Sequence, residues 1–221
     1  MPFKLSPSAL SLLHECPRCF WLTEHEKWER PAGIFPSLPS GMDGILKIHF
    51  DKFMEKGKLP PELCNMPNKE ECKNFKLFND KALLKEWRNS RKGLWFEDKA
   101  GNILHGGIDN LLVNKANDKL IVLDYKTRGF PLKEDTHEHY QNQLNIYAFL
   151  LKQMGKEVED FAYLLFYYPK EVSETGEVIF DTVLKKMKVS AEDAETLWEK
   201  ALKILNGDCP KESCEWCKFV K

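Results

Sequence analysis

The sequence lacks both an excess of charge of one sign and any long apolar run. Its 33 lysines and arginines nearly balance its 34 aspartates and glutamates, so the formal net charge is −1. Proteins that bind nucleic acid by general electrostatics usually have a basic excess. A nuclease can do without one, because bound cations and a local basic strip can meet the phosphates. The charge therefore leaves a nucleic-acid substrate open, whereas the missing apolar run argues against a membrane protein.

Internal repeats and low-complexity segments are also missing, and the N-terminus does not have the pattern of a signal peptide. The first residues, MPFKLSPSALSLL, have a weak basic start but are interrupted by prolines. We therefore expect a cytoplasmic protein. A chain of 221 residues that is 43% apolar and 12% aromatic can bury a substantial core. The prediction is a single domain over residues 1–221.

Cysteine, in contrast, is plentiful. Seven cysteines are an odd number, and a disulfide framework is not expected in a reducing compartment. Cys64 and Cys72 stand alone in a polar stretch and are predicted bystanders. The other five lie near the two ends of the chain: Cys16, Cys19, Cys209, Cys214 and Cys217.

Capping residues, prolines and the spacing of apolar residues predict the elements of the first half of the chain. In chain order, these predictions are a short helix opened by Ser6-Pro7, an extended loop over 30–40, a helix over 42–56, a loop over 57–79, and a short helix capped by Asn79 or Asp80 that ends at Trp87.

The second half is richer in strands. LWFED, GNILHGGIDNLLV and KLIVLDYKT are separated by turn formers, which predicts an antiparallel meander. A helix over 134–154, two strands (FAYLLFYYP and EVIFDTVLKKMKV) and a helix capped by Ser190 that ends at Gly207 should follow. This order predicts an α/β fold in which a central mixed β-sheet is flanked by helices.

Charged residues interrupt the most apolar of these strands. In KLIVLDYKT, Asp124 and Lys126 are two apart, so their side chains project from the same face of the strand. A structural ion pair, or a strand end that emerges into solvent, would explain the two residues taken alone. In GGIDNLLV, Asp109 also lies among apolar residues and can approach Asp124 across a hairpin. Two carboxylates this close favour a cation between them, and their oxygens suit Mg²⁺ or Mn²⁺.

GGID followed by LDYKT resembles the paired motifs of the PD-(D/E)XK nucleases. Two further segments resemble the RecB-like branch, which includes the CRISPR-associated RecB-like exonucleases and AddB-type nuclease domains. These are GILKIH, which contains His49, and QNQLNIY, which contains Gln143 and Tyr147. The CP near the N-terminus and the CxxC near the C-terminus extend the resemblance over nearly the whole chain. The resemblance implies a restriction-endonuclease-like fold and a metal-dependent nuclease.

The resemblance also assigns roles to residues. It implies that Asp109 and Asp124 bind the catalytic Mg²⁺ or Mn²⁺ with the Tyr125 carbonyl, and that His49 adds an imidazole ligand. Lys126 would orient or deprotonate the attacking water. Gln143 and Tyr147 would position Lys126 or the DNA strand. Each of His49, Gln143 and Tyr147 could alternatively be an ordinary helix-face residue.

Two CxxC pairs, at Cys16/Cys19 and Cys214/Cys217, converge if the termini meet. Spacing alone favours structural zinc, whereas the resemblance implies a 4Fe–4S cluster. The family's last downstream cysteine is absent, so Cys19 is the expected fourth ligand and Cys209 the reserve. Residues 1–30 and 207–221 would together form this cysteine-ligated subregion.

The function that the resemblance implies is a RecB-like exonuclease. Its substrate would be single-stranded or free-ended DNA, in CRISPR-related defence or in repair. Such a nuclease could be a subunit of a larger CRISPR-adaptation or helicase/repair complex. Two alternatives stay open: a structure-specific or restriction-type endonuclease, and a catalytically idle DNA-binding or scaffold module.

Overall fold

The computed structural model describes residues 2–64 and 69–220. Its strands are β1 Lys4–Leu5, β2 Phe75–Leu77, β3 Leu94–Glu97, β4 Ile103–Gly106, β5 Asn110–Asn114, β6 Leu120–Thr127, β7 Phe161–Val172 and β8 Val178–Lys188. Its helices are α1 Pro7–Glu15, α2 Pro17–Glu26, α3 Ser37–Glu55, α4 Pro61–Cys64, α5 Lys69–Cys72, α6 Lys81–Trp87, α7 Gln141–Gln153 and α8 Ala191–Leu205, with a 3₁₀ turn at Glu138–Tyr140 before α7.

The strands form two sheets flanked by helices, which confirms the predicted α/β fold with a mixed sheet. The larger sheet has the order β2-β5-β6-β7-β8, and only its β6–β7 pair is parallel. The smaller sheet has the order β1-β4-β3. The prediction of one meander is wrong, because the segment 101–113 leaves the small sheet after Gly106 and enters the large one at Asn110.

The core lies between the large sheet and α7. Residues Leu120–Tyr125 of β6 are buried without interruption, and so is the run Leu144–Leu151 of α7. A helix that is buried all round must be covered on several sides. Helix α7 packs against α1, α8, β3 and β6, and it also forms the crossover between the parallel strands β6 and β7. The strand that carries Asp124 and Lys126 is therefore central to the fold.

Two predicted helices begin at other residues than expected. Helix α3 starts at Ser37 instead of residue 42, because Pro39 falls in the first turn, where a backbone N–H has no helical partner to lose. Helix α7 starts at Gln141 instead of residue 134, since the preceding residues form turns and a 3₁₀ turn. Its predicted end at Gly155 is confirmed by a left-handed backbone there, with φ of +74°.

The predicted loop over 57–79 contains two short helices, α4 and α5, and the edge strand β2. Its part at 65–68 lies outside the described residues. Three predicted N-caps are confirmed, because the side chains of Ser6, Asp80 and Ser190 each accept a hydrogen bond from a backbone N–H three residues on. Within 2–64 and 69–220, no helix has the length and apolar character needed to cross a membrane.

Candidate active site

The chain passes from the small sheet to the large sheet between Gly106 and Asn110, and this crossing places Asp109 beside Asp124. Asp109 directly precedes β5, and the register pairs its neighbour Asn110 with Leu123 of β6. Asp109 therefore faces Asp124 across the antiparallel pair. Its Oδ2 accepts a hydrogen bond from the backbone N–H of Tyr125 at 2.9 Å. The predicted approach of the two carboxylates across a hairpin is confirmed, although Asp109 lies at a strand entrance and not within a strand.

Two glycines before Asp109 allow close approach of other elements. A Cβ on Gly107 would lie 2.8 Å from the backbone oxygen of Arg88, and one on Gly106 would lie 3.0 Å from a ring carbon of Tyr147. A side chain at either position would displace its neighbour. The paired glycines therefore let the α6 end and the Tyr147 ring pack directly against the chain that leads to Asp109.

Asp124 is the most deeply buried charged group of the site, with 2% of its surface exposed. Burial raises the pKa of its carboxyl, the Lys126 charge lowers it and the Asp109 charge raises it, and together they bring this pKa to about 7. Lys126 Nζ lies 2.5 Å from Asp124 Oδ2, so the two groups form a buried ion pair. A buried carboxylate needs such a charge partner. Carboxylate oxygens of this kind also suit a divalent cation.

Lys126 is held by a chain of polar side chains on α7. Its Nζ donates to Gln143 Oε1 at 2.8 Å, and Gln143 Nε2 donates to Tyr147 OH at 2.9 Å. The Tyr140 ring centroid lies 4.7 Å from the same ammonium. Burial lowers the pKa of Lys126, but the charges of Asp124 and Asp109 outweigh burial and raise it overall. Lys126, Gln143 and Tyr147 therefore meet at one place, as the resemblance implies.

Two cationic side chains at this site were not predicted. Lys47 Nζ of α3 lies 3.1 Å from Asp109 Oδ1 and 2.8 Å from Asp43 Oδ2. Arg88 Nε donates to the Asp109 carbonyl at 2.9 Å, and its Nη1 donates to Asp51 at 2.9 Å. A sequence signal existed, because Asp43, Lys47 and Asp51 recur at intervals of four on one helix face.

The structure does not bring His49 to the carboxylates. Its Nε2 lies 2.8 Å from Glu62 Oε1, which also accepts a hydrogen bond from Tyr167 OH at 2.8 Å. Among the described residues, four cysteines have ligand atoms that all lie within 4.8 Å of one another, and His49, Asp109 and Asp124 are not grouped in this way. The implied imidazole ligand stays a prediction, and His49 pairs with Glu62 in this structure.

The predicted cysteine site forms where the chain ends meet. The Sγ atoms of Cys16, Cys19, Cys214 and Cys217 all lie within 4.8 Å of one another. Neighbouring Sγ atoms are 3.8 Å apart for Cys16–Cys217, 3.4 Å for Cys19–Cys214 and 3.8 Å for Cys214–Cys217. Cys209 is outside this group, and its Sγ instead accepts a hydrogen bond from Arg18 at 3.5 Å. The fourth sulfur is therefore that of Cys19, as expected, and not that of Cys209.

These distances discriminate between a single ion and a cluster. In a tetrahedral zinc site with Zn–S bonds of about 2.3 Å, neighbouring sulfurs are about 3.8 Å apart. In a 4Fe–4S cluster each cysteine binds a different iron, so the cysteine sulfurs must stand further apart to enclose the irons and sulfides. Arg30 adds a compensating charge, since its Nε donates to Cys19 Sγ at 3.5 Å. The four cysteines are a donor set that fits a metal ion, and their spacing is close to that of the sulfurs around one tetrahedral ion.

The two predicted bystander cysteines lie close together. Cys64 Sγ and Cys72 Sγ are 2.8 Å apart, at the ends of α4 and α5. Both lie outside the four-cysteine group, which matches the prediction that they take no part in the site at the chain ends.

Comparison with known proteins identifies the superfamily of the chain. Residues 4–220 match the family model of the PD-(D/E)XK nuclease superfamily, whose members are typically nucleases. A solved structure titled "Crystal structure of SSO0001" aligns with 98% of this chain and 82% of that chain, at 17% identity and a TM-score of 0.41. No curated protein matches the sequence. Because the family match covers nearly the whole chain, the protein belongs to the PD-(D/E)XK nuclease superfamily.

Proposed function

We propose that the protein is a divalent-metal-dependent deoxyribonuclease that hydrolyses phosphodiester bonds. The observation that carries this proposal is the carboxylate pair Asp109–Asp124, in which Asp124 is only 2% exposed and lies 2.5 Å from the Lys126 ammonium. Such a pair destabilises the fold unless a cation compensates it. Because the chain belongs to a superfamily of nucleases, we assign the hydrolysis of phosphodiester bonds to this carboxylate pair.

Asp109, Asp124 and the Tyr125 carbonyl are the residues that would hold Mg²⁺ or Mn²⁺. When bound, the ion would lower the pKa of a coordinated water and neutralise charge on the phosphate oxygens. The chain itself contributes the geometry. The backbone N–H of Tyr125 fixes one oxygen of Asp109, and the strand fixes Asp124 opposite it.

Lys126 would act on the attacking water or on the phosphate beside it. Its ammonium is available for this because Gln143 holds it at the edge of the carboxylate pair. Tyr147 in turn supports the Gln143 amide. In this arrangement Lys126 contacts the reacting atoms, whereas Gln143 and Tyr147 are positioning residues.

The favoured mode is exonucleolytic, on single-stranded or free-ended DNA. This choice depends on the resemblance of GILKIH and QNQLNIY to the RecB-like branch, as does a place in a CRISPR-related or repair complex. An endonuclease is the second candidate, since the same core supports it. The idle-module alternative is weakened by the complete set of Asp109, Asp124 and Lys126.

For the cysteine site we propose one structural zinc ion in place of the 4Fe–4S cluster that the resemblance implies. Sulfur distances of 3.4–3.8 Å favour a single tetrahedral ion. Protein purified without oxygen should be colourless and carry about one zinc per chain. A brown preparation with bound iron and sulfide would refute this assignment.

The nuclease proposal is tested with end-labelled linear DNA and Mg²⁺ or Mn²⁺. We expect Lys126→Ala and Asp124→Asn each to lower the cleavage rate about a hundredfold or more, because each removes a group of the reaction itself. The matched control is Lys200→Ala, an exposed lysine on α8, which should cleave like wild type. Robust cleavage by Lys126→Ala would refute the mechanism.

The mode is tested separately with circular single-stranded DNA. An exonuclease leaves the circle intact while it degrades the same sequence once linearised. Cleavage of the circle at a comparable rate would favour the endonuclease.

A further inference from the structure

Cys64 and Cys72 form a pair of thiols that the proposed function does not use. Their Sγ atoms are 2.8 Å apart, at the ends of the short helices α4 and α5. A disulfide bond is about 2.05 Å long, so the two sulfurs are within about 1 Å of bonding distance. Neighbouring sulfurs of the four-cysteine group are further apart, at 3.4–3.8 Å. The pair is therefore closer than sulfurs that share one tetrahedral ion, and its spacing suits a bond between the sulfurs themselves.

The large sheet holds each of the two helices separately. Glu62 of α4 accepts a hydrogen bond from Tyr167 OH at 2.8 Å, and Glu71 of α5 accepts one from Tyr163 OH at 3.0 Å. Tyr163 and Tyr167 are four residues apart on β7, so both side chains project from the same face of that strand. Lys186 of β8 also pairs with Glu71, at 2.5 Å. Because tertiary contacts already place the thiols side by side, little chain entropy is lost when they join.

The two thiols differ in exposure and in acidity. Cys64 is partly exposed, whereas Cys72 is only 6% exposed. Burial and the neighbouring Cys64 sulfur together bring the pKa of the Cys72 thiol up to about 12. The attacking species in thiol–disulfide exchange is the thiolate, and it must be able to reach its partner. Cys64 is therefore the thiol that meets an oxidant from solvent, and Cys72 reacts second, inside the protein.

We propose that Cys64 and Cys72 are a redox modification site, which a small-molecule disulfide converts into an intramolecular disulfide. The Cys64 thiolate attacks one sulfur of the small molecule and releases the other half as a thiolate. Cys72 then loses its proton and attacks Cys64 Sγ, which releases the second half. Two protein thiols thus give two electrons and two protons to one small-molecule disulfide, which leaves as two thiols. An excess of small thiol reverses both steps.

The disulfide would bear on a contact close to the active site. Helix α4 carries Glu62, whose Oε1 lies 2.8 Å from His49 Nε2 of α3 and also accepts the hydrogen bond from Tyr167. Local opening of α4 would break both contacts, and a covalent bond to α5 opposes such opening. The redox state of Cys64 and Cys72 therefore sets how firmly α4 is held against α3 and β7.

The test uses the full chain as purified, with the ion of its cysteine site in place, and oxidised glutathione as the oxidant. Mass spectrometry of peptides digested without reduction measures which cysteines are joined. We expect the wild type to gain a Cys64–Cys72 crosslink with the loss of two hydrogen atoms, which excess reduced glutathione removes. Cys209→Ser is the matched control and should form the same crosslink, because Cys209 lies outside the pair. Wild-type protein in which the two cysteines stay thiols, or in which Cys64 stops as a mixed disulfide with glutathione, would overturn the inference.

Two single variants test the order of attack. Cys72→Ser should accumulate glutathione on Cys64, because the second thiol is gone. Cys64→Ser should leave Cys72 as a thiol, since that side chain is buried. We expect glutathione to add to Cys72 in Cys64→Ser about tenfold or more slowly than to Cys64 in Cys72→Ser. Equal rates would overturn the assigned order. Circular dichroism verifies that the variants fold, and the wild-type crosslink tests the inference without them.

Hydrogen exchange measures the effect on α4. Backbone amides of α4 and α5 should exchange about tenfold or more slowly in the oxidised protein than in the reduced protein, whereas those of α8 should not change. Equal exchange of α4 in the two forms would refute the claim that the disulfide holds this helix. None of these measurements reads DNA cleavage, so their failure would leave the nuclease proposal intact, and an inactive protein would leave this inference intact.

Discussion

The active site and the cysteine site differ in how far apart along the chain their residues lie and in how much core surrounds them. Asp109 and Asp124 are 15 residues apart, on neighbouring segments of one sheet, and the main core surrounds them. The paired cysteines are 201 and 195 residues apart, and they form a small separate cluster with Leu22. A site inside the main core is held by extensive packing, whereas the cysteine site lies in a much smaller cluster of buried residues. The cysteine site should therefore depend on its metal ion much more than the active site does.

The two sites also differ in how their charges are compensated. Each carboxylate of the active site already has a lysine, Lys47 at Asp109 and Lys126 at Asp124. The four sulfurs near the chain ends share the guanidinium of Arg30, which donates to the sulfurs of Cys19 and Cys214. Metal removal should consequently be tolerated at the first site and damaging at the second. The following experiments test this contrast, from the largest expected effect to the smallest.

Cys217→Ser should lower the free energy of unfolding by roughly 4 kcal/mol or more, because it removes a buried ligand of a structural ion. Thermal and urea unfolding measure the loss. Cys209→Ser is the matched control, since Cys209 lies at the same end of the chain but outside the group, and it should change stability little. Equal losses of stability in the two variants would contradict the expectation that the cysteine site depends strongly on its metal ion.

Saturating Mn²⁺ should raise the melting temperature of the wild type, and this change in stability should be smaller than that caused by Cys217→Ser. At a concentration of one hundred times Kd, a ligand that binds only the folded state adds about 2.7 kcal/mol. Asp124→Asn should show almost none of this increase, because the central carboxylate is gone. The measurement is calorimetry on protein that retains its cysteine-site ion. An equal Mn²⁺ effect in Asp124→Asn would place the metal elsewhere.

Gln143→Ala should lower kcat about tenfold, because Lys126 loses the acceptor that holds it, while Mn²⁺ binding stays unchanged. Gln153→Ala offers a control on the same helix, since Gln153 is exposed at its end. Steady-state cleavage and Mn²⁺ titration together separate positioning from metal binding. If Gln143→Ala weakened Mn²⁺ binding as much as it lowered kcat, the positioning role would be wrong.

Tyr147→Phe should have the smallest effect, about 1 kcal/mol or less on transition-state stabilisation, because it removes one hydrogen bond to Gln143 and keeps the ring. The same kinetic assay measures it. A loss as large as that of Gln143→Ala would mean that the hydroxyl contacts the reacting groups directly.

The parts of the site that were predictable depend on local rules. Asp124 and Lys126 share a face because side chains alternate along any strand, and Asp109 can reach Asp124 wherever the two segments pair. Gln143 and Tyr147 share a face because they are one helical turn apart. The three confirmed N-caps have the same origin, since a side chain there bonds a backbone N–H three residues on.

The parts that could not be predicted depend on how elements pack. The chain crosses from one sheet to the other at Gly107 because Arg88 and Ser90 lie against its backbone, and those contacts come from a distant segment. The rotation of α3 about its axis follows from packing on the sheet, for example from Phe50 against the Tyr125 ring at 4.6 Å. The presence of His49 in a sequence motif does not indicate how α3 is rotated about its axis.

The sequence by itself determined the superfamily, the α/β architecture and the trio of Asp109, Asp124 and Lys126, because these depend on the order of motifs and on alternation along strands. Only the tertiary structure decided that Lys47 reaches Asp109 while His49 pairs with Glu62, and that Cys19 and not Cys209 completes the four sulfurs. The physical reason is that contacts between distant segments depend on the rotation and approach of whole elements, which spacing along the chain does not encode.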